Sequence, residues 1–130
     1  MSGRYLLDTN IIIGLFKGDS LIKKNLGSVQ EAFVPTIALG ELYYGALKSK
    51  RHVENIKVIE DFSFSFSALS CDKITAKYYG EVKKELWEKG NPQPENDVWI
   101  AALALQHDLI LASRDKQFTN ILQLKLENWL

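Results

Sequence analysis

The stretch "NDVWIAALALQHDLILASRD", Asn96 to Asp115, decides the fold. Its first part is apolar on most faces, which reads as a buried helix. It leads into "LILAS", Leu109 to Ser113, a short continuous apolar run. Strands of a buried parallel sheet look like this, because both of their faces are covered. A buried helix feeding a buried strand is the unit of an α/β layer protein.

Working outward, "RYLL" (Arg4 to Leu7) reads as another short buried strand and "NIIIGLFKG" as a helix ending at Gly18. "SLIKKNLGS" reads as a second helix with Ser20 as its N-cap. "AFVP" (Ala32 to Pro35) is a strand closed by proline. Thr36 can cap the next helix, in which Leu39, Leu42, Tyr43 and Ala46 share an apolar face. "HVENIKVIEDF" continues as helix, with Val53, Ile56 and Ile59 or Glu60 at helical spacing. "FSFSALS" alternates like a strand. Ile74, Tyr78, Val82 and Leu86 recur every four residues in an amphipathic helix that Gly90 ends. "NPQPEN" is a loop, "KQFTNI" a turn or short helix, and "QLKLENW" a terminal strand or extended tail. The alternation predicts an α/β sandwich around a mostly parallel sheet.

A chain of 130 residues fits one domain with a real core. Sixteen acids balance sixteen bases, so any nucleic-acid function needs local patches and not bulk charge. The single cysteine, Cys71, cannot form an internal disulfide, which fits a reducing compartment. The start lacks a secretory pattern. The longest apolar run, Val98 to Leu105, is far short of the roughly 20 residues a bilayer requires. The expected location is cytoplasmic.

Four acids share an architectural address. Asp8 directly follows the first apolar run, and Asp115 comes two residues after "LILAS". In a parallel sheet both lie at strand carboxyl ends, where such folds place ligands. Asp97 opens the buried helix. Glu41 sits in the second turn of the helix after "AFVP", beside apolar neighbours. Each also has a bland reading: Asp8, Asp97 and Asp115 as helix caps, and Glu41 as a solvated acid. Clustered carboxylates repel one another, and a divalent cation removes that penalty. An all-oxygen set without Cys or His suits Mg²⁺ or Mn²⁺. The matching chemistry is phosphodiester hydrolysis.

"LLDTN", "GELYYGA", "NDVWIAALAL" and "LILASRDKQF", in this order, resemble the PIN-domain ribonucleases, and most of all the VapC-type toxins of toxin–antitoxin pairs. The resemblance spans essentially the whole chain, 1–130, and implies a single PIN domain. It implies a three-layer α/β/α sandwich with strand order 3-2-1-4-5, and puts the family's acidic quartet on Asp8, Glu41, Asp97 and Asp115. It further implies an Mg²⁺- or Mn²⁺-dependent endoribonuclease that cuts single-stranded or looped RNA, forms a homodimer and is silenced by a cognate antitoxin. The position of Ser113 is often Thr in that family, a hydroxyl in either case.

Supporting roles are open. Thr9 and Asn10 can hydrogen-bond a metal water or a neighbouring carboxylate, or cap a helix. Ser113 can orient Asp115 or simply end a strand. Arg114 can contact a phosphate or stand solvated. Glu95 is a fifth acid at the site or a loop acid. The basic run "KSKRH" (Lys48 to His52) can track an RNA backbone, meet an acidic partner or form a plain helix junction, the commonest outcome. His52 and His107 lack metal-ligand spacing. Tyr43, Tyr44, Tyr78, Tyr79 and Trp87 read mainly as core or interface.

Other classes compete. A phospho-accepting signalling module needs an acceptor Asp after its third strand and a Lys after its fifth. Here Asp72 reads as a helix cap and no suitable Lys follows a fifth strand. A catalytically silent RNA- or partner-binding domain is opposed by the intact quartet. A nucleotide-binding fold lacks its glycine-rich loop.

Overall fold

The computed structural model describes residues 3–130. Five strands form one sheet: β1 (Arg4–Leu7), β2 (Glu31–Pro35), β3 (Ser67–Leu69), β4 (Ile110–Ser113) and β5 (Leu126–Asn128). Their order is β3-β2-β1-β4-β5, and every neighbouring pair is parallel. The helices are α1 (Thr9–Phe16), α2 (Ser20–Ser28), α3 (Thr36–Lys48), α4 (His52–Phe64), α5 (Lys73–Glu88) and α6 (Glu95–Gln106). A short 3-10 helix covers Lys116–Asn120.

Strand periodicity divides the core into two. Tyr5 and Leu7 of β1 point to one face, where they meet Ile11, Ile12, Ile22, Ala38, Leu42, Ile59 and Phe62 from α1 to α4. Leu6 between them points to the other face, among Val82, Leu86, Val98, Ile100 and Leu103 of α5 and α6. Helices therefore cover both faces, the expected three-layer arrangement. Among the described residues no helix is long and apolar enough to cross a membrane.

Several local expectations are corrected. Asp19, not Ser20, caps α2, because its backbone is still non-helical while its carboxylate accepts from Leu21 N and Ile22 N. Thr36 is already inside α3, and Pro35 holds the cap position without a side-chain bond. The α3–α4 run is broken at Ser49, whose Oγ accepts from Arg51 N and Asn55 Nδ2. "KSKRH" is thus a helix junction. "FSFSALS" is only half strand: Phe64 ends α4, and pairing begins at Ser67.

On α5 the buried face runs through Thr75, Val82 and Leu86, while Ile74 is 59% exposed. Steps of four overshoot the helical turn by about 40° each, so a four-residue stripe winds off the core. Tyr44 and Trp87 are exposed and do not join the core. His52 is exposed, and His107 closes the C-terminus of α6.

Candidate active site

Helices α1 and α3 begin directly after β1 and β2, at the carboxyl edge of the sheet, and α6 ends just before β4 begins, so its N-terminus points back to that edge. This is why acids distant in sequence meet there. Asp8 is the first residue beyond β1, and its backbone N–H still reaches Ala112 O on β4 at 3.0 Å. Its Oδ1 accepts from Thr9 N at 2.9 Å and caps α1. Its Oδ2 accepts from Ser113 Oγ at 2.7 Å. Burial pushes the Asp8 carboxyl above its ordinary pKa, the bonds from Ser113 and Thr9 pull it back, and the charges of Asp115 and Glu41 add to the rise.

Ser113 is the hub. Besides donating to Asp8 it accepts from Asp115 N at 2.9 Å and from Asn10 Nδ2 at 3.4 Å. One donor and two lone pairs are all a hydroxyl has, so its bonding is complete. Asn10 Oδ1 accepts from Arg114 N at 3.2 Å, which pins the turn after β4 to the start of α1. Asp115 caps the 3-10 helix by accepting from Gln117 N at 2.9 Å. Thr9 Oγ1 donates to Glu41 Oε1 at 3.2 Å.

Asp97 lies in the first turn of α6, but it is not its cap. Pro94 holds the cap position, and no side chain bonds the orphan amides there. Desolvation pushes the half-buried Asp97 carboxyl up to about 6, helped by the charges of Asp8, Asp115 and Glu41. The four predicted acids thus feel one another, and among the described residues none is paired with a lysine or arginine.

Two other candidates are placed elsewhere. Arg114 spends its guanidinium on Asp19 Oδ2 at 2.6 Å and on the Trp129 carbonyl at 2.9 Å, a structural tie in place of a free phosphate contact. Glu95 accepts from Tyr79 and Lys83 of α5 and is not a fifth member of the cluster. Sequence reasoning missed Asp19 and Trp129 as partners of Arg114. No local pattern signals such long-range ties.

The donor set is chemically right for a hard divalent cation: carboxylate oxygens only, partly desolvated and mutually repelling. Among the described residues, no three acid, His or Cys side chains already stand at gripping distance.

The sequence pattern of the PIN domain matches residues 5–122. The chain belongs to the PIN-domain family. Within that family it is similar to ribonuclease VapC2 of Haemophilus influenzae, with 39% identity over 97% of this chain and 98% of the relative. It is 32% identical to the tRNA(fMet)-specific endonuclease VapC of Shigella flexneri, over 97% of this chain and 98% of the relative. Among solved structures it resembles VapBC2 of Rickettsia felis bound to a DNA fragment from its promoter. That match has a TM-score of 0.90 and 31% identity, covering 98% of this chain and 99% of the other. This PIN-domain chain therefore has the fold its sequence predicts.

Proposed function

We propose that this PIN-domain protein is the toxin of a VapC-type toxin–antitoxin pair, a divalent-metal-dependent endoribonuclease. One observation supports the reading: the charges of Asp8, Glu41 and Asp115 all act on Asp97 beside the paired strands β1 and β4, and among the described residues no lysine or arginine pairs with any of the four. Uncompensated, such a cluster costs stability, and function is the usual reason a fold keeps one.

Asp8, Glu41, Asp97 and Asp115 would hold Mg²⁺ or Mn²⁺. The ion would offset their charge, polarise a phosphoryl oxygen and make water a better nucleophile. The chain's other residues prepare the acids. Ser113 and the Thr9 amide favour the ionised form of Asp8. Thr9 Oγ1 orients Glu41, and Gln117 N fixes one Asp115 oxygen. Asn10 acts through Ser113 and the Arg114 backbone.

The VapC relatives named as ribonucleases make RNA the substrate class, and tRNA(fMet) is the first molecule to try. The similarity to VapBC2 makes an antitoxin the expected silencing partner. The deciding experiment incubates tRNA(fMet) and a generic looped RNA with wild type and folded Asp97→Asn, each with Mg²⁺, Mn²⁺ or EDTA. Cleavage is expected from wild type with metal alone. Undiminished cutting by Asp97→Asn, or in EDTA, would sink the proposal.

A further inference from the structure

Three of the four acids are held by hydrogen bonds from the protein: Asp8 by Thr9 N and Ser113, Glu41 by Thr9 Oγ1, and Asp115 by Gln117 N. Among the described residues, the Asp97 carboxylate receives no such bond. Its position is set by the backbone of the first turn of α6. That turn hangs on bonds from Asp97 N and Val98 N to Pro94 O, at 3.0 and 3.2 Å. With no side-chain cap, such a turn tends to fray.

The turn is fastened from outside. Glu95, two residues before Asp97, accepts from the Tyr79 hydroxyl and the Lys83 ammonium. Lys83 Nζ also donates to Tyr79 Oη at 3.0 Å. Trp99, two residues after Asp97, stacks on the Tyr79 ring, with centroids 4.1 Å apart and 20° between planes. Asp97 therefore sits midway between two anchors, and the same α5 tyrosine grips both. Lys83 further engages the Glu95 carboxylate within this clasp.

We infer that Tyr79 and Lys83 are positioning residues for Asp97, and through it set the affinity of the acidic site for a divalent cation. This rests on the metal-site reading above. The pairing is exposed, with Lys83 and Glu95 each about half accessible, so it contributes little to global stability. Its effect lies in where one carboxylate stands, and outer partners of this kind change metal affinity by about tenfold or more.

The test is Mn²⁺ titration by calorimetry on the full chain, with amide exchange followed by NMR without metal. Variants are Tyr79→Phe, which keeps the stack and loses the hydroxyl, and Lys83→Met. Lys84→Met, which removes an ordinary surface pair with Glu88 on the same helix, is the control. Both clasp variants are expected to weaken Mn²⁺ binding about tenfold. Exchange should quicken at Asp97 and Val98 but not at Ala101 to Leu103, and saturating Mn²⁺ should restore RNA cleavage. Lys84→Met should match wild type. Clasp variants that bind Mn²⁺ as wild type does overturn the inference while leaving the metal reading intact. A wild type that binds no Mn²⁺ ends both.

Discussion

Ser113 Oγ donates to Asp8 Oδ2 at 2.7 Å, across the seam where β1 and β4 run side by side. One hydroxyl thus ties two of the acids, since it also accepts from the Asp115 backbone. Ser113→Ala strands a buried carboxylate oxygen. It is expected to cost about 1–3 kcal/mol in urea unfolding and to lower RNA cleavage at least tenfold. Ser113→Thr keeps the hydroxyl and should retain most of both. An alanine variant as stable and active as wild type would remove Ser113 from the site.

Asp97 makes stability depend on pH in a defined direction. Its folded pKa, about 6, lies above the ordinary 3.8, so the folded state holds the proton more tightly. Its contribution is full below pH 4 and is lost as pH rises through 6. Asp97→Asn removes that loss. At pH 7 and without metal the variant should be more stable than wild type, by roughly 1 kcal/mol after allowing for solvent screening. The gap should close toward pH 4. Denaturant melts at three pH values measure it, and a constant gap would contradict the assignment.

Cation binding should appear as thermal stabilisation. If Mn²⁺ binds the folded chain alone, a concentration a hundredfold above Kd adds about 2.7 kcal/mol, a shift of several degrees in Tm. Asp97→Asn and Asp8→Asn should show a much smaller shift under the same conditions. Equal shifts would place the ion away from these acids.

Trp129 is fully buried, with its ring 5.5 Å from that of Tyr5 and its Nε1 donating to Glu127 Oε1. Its carbonyl also accepts from Arg114, next to Asp115. Trp129→Ala should cost about 3–5 kcal/mol. It should also reduce cleavage at temperatures where the chain is still folded, because the anchor of the post-β4 turn loosens. Circular dichroism and activity measured together separate the two effects.

What the sequence disclosed depended on how local the cause was. The β1 and β4 runs are apolar because both faces of those strands are covered, so they were legible, and so was the placement of Asp8 and Asp115 beyond them. Cap identity was less legible. Asp19 and Ser20 have similar chemistry, and only the backbone angles decide between them. Ile74 matched a spacing of four and still fell outside the buried face, because the stripe drifts around the helix. The capping reading of Asp97 failed because Pro94 starts the helix earlier. The engagement of Arg114 by Asp19 and Trp129 comes from tertiary closure, which leaves no trace in a window of sequence.

The β1–β4 seam has a kinetic meaning as well. Asp8 and Ser113 are 105 residues apart in the chain. Contacts of such separation must close a long loop before they contribute, and folds rich in them form more slowly. Asp8 and Ser113, distant along the chain, are neighbours only through the pairing of β1 with β4, so whatever the four acids do depends on that pairing being made.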